Sequence, residues 1–168
     1  MPVLYAGVGS RRTPHHIFDI MVRVGKKLAK TNYVLRSGGA SGADTAFAFG
    51  CSEVQGLKEI FYADDATPAA RQELEKHLEP SHLAALRRGG WLDLHARNCM
   101  QVLGQNLNTP VKFVLCWTSD GATTKQECTK ATGGTGTAIK IANHYNIPVF
   151  NLQKADHLKR IQTWLNKD

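Results

Sequence analysis

Short apolar runs that lead into glycine and then into a segment of helical periodicity recur along this chain. They limit its fold more than any other feature. Val3 to Val8 is such a run and closes on Gly7-Val8-Gly9. Pro14 then suits a first helical turn. Ile17, Ile20, Met21, Val24 and Leu28 recur on one face of a helix reaching about Lys30. A second run, 32–37, enters Gly38-Gly39, and a helix of small residues, 43–55, follows. Strand-like stretches return at 58–63, 111–117 and 148–151, with helical segments at 91–107, 135–145 and about 155–166. The charged, Ala-rich stretch 64–90 reads as two short surface helices broken near Pro80.

Strands that are continuous apolar runs are buried on both faces, and strands alternating with helices are parallel. The expectation is a single α/β domain over 1–168, a doubly wound, mainly parallel sheet flanked by helices. No repeat or low-complexity tract interrupts it. The polar stretch 118–134 is longer than most connections in compact domains, which marks it as a lid or a disordered segment.

Ligands of open parallel sheets bind outside the carboxyl ends of the strands, near the switch in strand order. Three stretches fall there: Gly9-Ser10-Arg11-Arg12, Ser37-Gly38-Gly39-Ala40-Ser41-Gly42-Ala43-Asp44, and Gly133-Gly134-Thr135-Gly136-Thr137. Glycine leaves the backbone approachable, and the free N–H groups of a following helix hold phosphate without any lysine. Arg11 or Arg12 adds a bidentate clamp. Neither Gly loop is a Walker A sequence or a complete G-x-G-x-x-G. One such loop alone is also explained by a tight strand-to-helix turn.

In the helical segment "LHARN", His95 and Asn98 share a face by their spacing, and Arg97 is expected to point elsewhere. This polar cluster is either a solvated surface or a place from which Arg97 or Asn98 reaches a phosphate or ribose.

Charge agrees with an anionic ligand without choosing one. Lysine and arginine number 21 against 14 acidic residues, a formal net charge of +7. No run of about 18 apolar residues exists to span a membrane. The opening residues lack the pattern of a signal peptide, so a cytoplasmic protein is expected. None of the four cysteines has zinc spacing; three sit in apolar-periodic segments and Cys128 lies in a polar loop as an exposed thiol. No metal or cofactor is called for.

The ordered set "GSRRTP", "RSGGASGAD", "LHARNCMQVLG", "FVLCWTSDG", "GGTGTAIKIA" and "IPVFNL" resembles the SLOG superfamily. That group holds the LOG phosphoribohydrolases, the DprA DNA-processing proteins and small Rossmann-like nucleotide-binding proteins of phages and bacteria, and the chain is most similar to the last. The resemblance implies a Rossmann-like sheet and a phosphorylated ribose held between the two Gly loops, with Arg97 in the place of the LOG catalytic arginine. Where the LOG pattern continues to a glutamate, this chain has Ala138-Ile139-Lys140. Asp44 is then the first carboxylate considered for acid or nucleophile chemistry, its alternative role being to favour the dipole of its helix; Asp120 and Glu127 on the long loop are weaker candidates. Lys140 reads first as part of a solvated helix face, its alternative role being to provide charge for a phosphate.

The leading expectation is binding of a nucleoside phosphate or nucleotide-derived small molecule through Gly9, Ser10, Arg11, Ser37, Gly38, Gly39, Gly42, Asn98, Gly133, Gly134, Thr135, Gly136 and Thr137. The alternatives are N-glycosidic cleavage with Asp44 and Arg97 as catalytic residues, sequestration of a nucleotide signal, and DprA-like DNA binding through patches such as Arg87-Arg88 and Lys26-Lys27. A homo-oligomer is expected, with the helix 91–107 available to a partner.

Overall fold

The computed structural model describes residues 2–167. Five parallel strands form one sheet: β1 (Val3–Gly7), β2 (Tyr33–Ser37), β3 (Lys58–Ile60), β4 (Val114–Cys116) and β5 (Val149–Asn151). Their order is β3-β2-β1-β4-β5. The chain winds outward from β1 to β3, returns across the sheet, and winds the other way through β4 and β5. The doubly wound α/β fold is therefore present, with its switch in strand order between β1 and β4.

Side chains alternate across a strand, and the two faces of the sheet carry separate cores. Tyr5, Leu35 and Leu115 pack with α1 (His15–Lys30), α2 (Ala43–Glu53) and α7 (Ala155–Leu165). Ala6, Val114 and Cys116 pack with α3 (Pro68–Glu75), α4 (Pro80–Gly89), α5 (Leu92–Leu103) and α6 (Thr135–His144). All five apolar positions read from the α1 periodicity are buried. Burial of a side chain of that size stabilises by about 1.5–3 kcal/mol, so Met21, fully enclosed, is one of the anchors of its layer. The backbones of α1 and α2 come close: a Cβ at Gly50 would lie 2.0 Å from the carbonyl oxygen of Val22.

Several boundaries differ from expectation. β4 keeps only three of seven residues and β3 three of six, because pairing with the neighbouring strand, not apolar content, ends a strand. Gly104 at φ +91° stops α5 at Leu103, short of 107. The break near Pro80 is real, with Pro80 opening α4. The two helices beside it are not merely superficial, since Leu74, Leu78, Leu83 and Leu86 are buried.

The stretch 118–134 is folded, not disordered. Asp120 accepts hydrogen bonds from the hydroxyls of Thr118 and Thr129, both at 2.8 Å, from the amide of Ala122 at 3.2 Å, and from the Thr132 hydroxyl. Burial acts to raise its pKa, but the donors from Thr132, Thr118 and Thr129 prevail and bring it down to about 2. Cys128 is half-buried against the core, not an exposed thiol.

Candidate functional site

α5 carries the polar floor of a cavity at the β1/β4 switch. Ala96, Cys99, Met100 and Leu103 turn to the core. Leu94, Arg97, Asn98 and Gln101 line the cavity. They stand at i, i+3, i+4 and i+7, which is one helical face. Arg97 therefore does not point elsewhere; it shares the cavity with Asn98, and His95 flanks them.

These groups are held at one end and free at the other. Arg97 donates from Nη1 to the Phe61 carbonyl oxygen at 2.8 Å and from Nε to the Asn98 Oδ1 at 3.0 Å. Asn98 donates onward to the Gly134 carbonyl at 3.1 Å, tying α5 to the second Gly loop. No hydrogen bond from the Nη2 of Arg97 is made among the described residues. Gln101 is 2% exposed, lines the cavity, and its side-chain amide has no protein partner among them. The spacing from Leu94, Arg97 and Asn98 was the signal that could have placed Gln101 in the site.

Asp44 lies in the first turn of α2 and is buried. It accepts from the Ala40 amide at 3.3 Å. Burial raises its pKa to about 6, against the lowering influence of the Arg97 charge and of the hydrogen bond from Ala40. It is the one carboxylate among the residues lining this cavity.

The opposite wall is the loop that enters α6. Gly133 has φ +67° and open space around its Cα, so a glycine is needed there for backbone conformation. Gly134, Thr135, Ala131 and Lys130 stand beside it. His95 makes a 2.7 Å hydrogen bond through Nδ1 with the Thr137 hydroxyl. Its pKa is lowered to about 4, chiefly by burial and then by His82, Arg97 and Lys140, so it is neutral at physiological pH.

The end of β1 supplies Gly9, Ser10, Arg11 and Arg12. The Ser10 hydroxyl accepts from the Arg12 amide at 2.9 Å, which shapes this turn. The cavity volume is about 500 Å³. Trp117 and Trp91 also line it, the latter 53% exposed at the mouth. Neither tryptophan was legible as a site residue.

The remaining expected residues lie outside this lining. The Ser37 hydroxyl is buried and donates to the Gly7 carbonyl at 2.5 Å. Gly38 backs the polar floor. Gly39 makes room for Tyr62, whose ring would lie 2.0 Å from a Cβ there. Gly42, at φ +84°, lets α2 start against the backbone of Ser10 and Arg11. Gly136 and Thr137 face a smaller neighbouring cavity. Among the described residues no group of three or more His, Cys, Asp or Glu side chains is placed to hold a metal ion. No helix among them is long and apolar enough to cross a membrane.

No protein-family model matches the chain, and no curated protein is similar to it in sequence. In structure it is similar to DNA processing protein A from Helicobacter pylori. The TM-score is 0.59 at 16% identity, and the match covers 98% of this chain and 79% of that one. The fold is DprA-like. The solved protein is described for its mode of binding single-stranded DNA.

Proposed function

We propose that this chain is a SLOG-type nucleotide-binding protein whose cavity at the β1/β4 switch receives a nucleoside phosphate or nucleotide-derived small molecule. The observation that carries the reading is Gln101, enclosed at 2% exposure with no protein partner for its amide. Its amide atoms open to the cavity, since Tyr5 Oη is the one sealed side-chain polar atom without a partner among the described residues, and a ligand with hydrogen-bonding groups pairs with them. Arg97, with an uncommitted Nη2 beside it, and the rim residues Arg11, Arg12 and Lys130 supply positive charge for phosphate. Trp91 at the mouth offers an aromatic face for a base.

Calorimetric titration with a panel of nucleoside monophosphates tests this reading. Wild type is expected to bind at least one of them, and Gln101→Leu to bind it about tenfold or more weakly. A folded wild type that binds none sinks it.

A second reading, a single-stranded DNA partner, rests on the structural likeness to a protein described as binding one and on the exposed Arg11, Arg12 and Lys130. It predicts oligonucleotide affinity that falls with salt, in proportion to the phosphates contacted. Competition separates the two: a mononucleotide that displaces the strand places both in one cavity, and one that does not places the strand elsewhere. Turnover would add a proton donor to either reading. Asp44, titrating near pH 6, fits that role. Release of free base from the bound nucleotide, abolished by Asp44→Asn, is its assay.

A further inference from the structure

A second cavity, of about 290 Å³, adjoins the first and shares His95, Lys130, Gly133 and Gly134 with it. His82 from α4 and Lys140 from α6 complete its wall with Thr129 and Cys128. No carboxylate is among the lining residues. The nearest acids on that side are already engaged. Glu127 pairs with Lys154 at 2.9 Å, and Asp120 is surrounded by threonine donors. Among the described residues the ammonium group of neither Lys130 nor Lys140 has an ion-pair or hydrogen-bond partner. Lys140 is half-buried and lines the cavity. The expected solvated helix face is, at this position, the wall of a cavity.

Two neighbouring cationic cavities with one Gly-rich ridge between them describe a ligand with two separated anionic groups. Resting on the nucleotide reading of the first cavity, we infer that the second cavity holds a second phosphate of the same ligand. The ligand class is then a dinucleotide, or two consecutive nucleotides of a strand, whose sugar–phosphate backbone crosses the Gly133–Gly134 ridge beside His95. A lone phosphomonoester fills only half of the site.

The test is NMR titration of the isotope-labelled protein with thymidine monophosphate and with the dinucleotide pTpT. The Gly9 amide and Gln101 side chain report on the first cavity; the Gly136 amide and His82 imidazole report on the second. The monophosphate is expected to move the first pair alone. pTpT is expected to move both pairs at one midpoint, lower by about tenfold or more, the scale of one charge-assisted hydrogen bond. Lys140→Gln, which lies outside the first cavity, should leave the monophosphate midpoint unchanged and return pTpT to it.

The inference is overturned if pTpT saturates the first pair at the monophosphate midpoint while Gly136 and His82 stay still; the first cavity then keeps its reading. If Gly136 and His82 move without Gly9 and Gln101, the first-cavity reading falls and the bridging ligand with it. If neither pair moves, both are wrong. A longer thymidylate strand that binds more tightly than pTpT, with the same Lys140 dependence, assigns the two phosphates to a strand. Equal affinity assigns them to a free dinucleotide.

Discussion

Asp44 and Arg97 meet at Gly38: a methyl group built on its Cα would lie 2.8 Å from the Asp44 Oδ2 and 2.5 Å from the Arg97 Nη1. No ion pair closes between the two side chains among the described residues. The space over Gly38 is what lets a carboxyl and a guanidinium share a buried floor. Gly38→Ala must displace Arg97, Gln101 or Asp44, all within 2.8 Å of the new methyl. Because these are side-chain ends, the expected stability cost is small, about 1 kcal/mol. Nucleotide affinity is expected to drop about tenfold or more. Calorimetry of the folded variant, set beside its urea unfolding curve, checks both numbers.

Arg97→Lys keeps a charge but loses the fork that bridges Phe61, Asn98 and the cavity. Affinity for the phosphate-bearing ligand is expected to fall by about 1.5–3 kcal/mol, the worth of a hydrogen bond to a charged group. Titration of Arg97→Lys and Arg97→Ala decides it. Equal affinity for wild type and both folded variants would remove Arg97 from the site.

The pH profile of stability should carry two opposed slopes. Burial raises Asp44 from 3.8 to about 6 in the folded state. Through that window the folded protein keeps a proton that the unfolded chain has released, so stability falls as pH rises. His95 is lowered from 6.5 to about 4, so its stability contribution instead grows as pH rises between those values. Asp44→Asn removes the first slope and is expected to gain on the order of 3 kcal/mol above pH 6 relative to wild type. Chemical unfolding of wild type and variant from acid to neutral pH measures the difference. A constant offset across that range contradicts the assignment.

Trp91 is exposed at the cavity mouth, packed against Gly89. Trp91→Ala is expected to cost a nucleotide about 1–3 kcal/mol of stacking and to leave affinity for ribose phosphate unchanged, while Trp91→Phe keeps most of it. Parallel titrations with the two ligands distinguish loss of a base platform from general damage.

Asp120 holds the segment 118–134 through threonine hydroxyls and the Ala122 amide. Asp120→Ala removes the shared acceptor. Limited proteolysis is expected to cut this segment faster than in wild type, and ligand affinity to fall because Lys130, Gly133 and Gly134 lose their anchor. Unchanged cleavage would mean that the core contacts of Ala122 and Cys128 suffice.

Helix faces, strand runs and loop chemistry are written in short-range periodicity, so the sequence alone carried the doubly wound α/β class, the buried face of α1 and the three Gly-bearing turns at the strand ends. The partners of those turns depend on residues far apart in the chain. Gly39 is small because of Tyr62, and Gly38 because of Arg97 and Gln101; neither reason is visible locally. Spacing pairs His95 with Asn98, but its hydrogen bond to Thr137 spans 42 positions. The orientation of Arg97, the enclosure of Gln101 and the second cavity behind Gly133 arise only when the strand order β3-β2-β1-β4-β5 brings α5 and the α6 loop to one edge. Local spacing sets which side chains share a face. Packing across the sheet decides what that face meets.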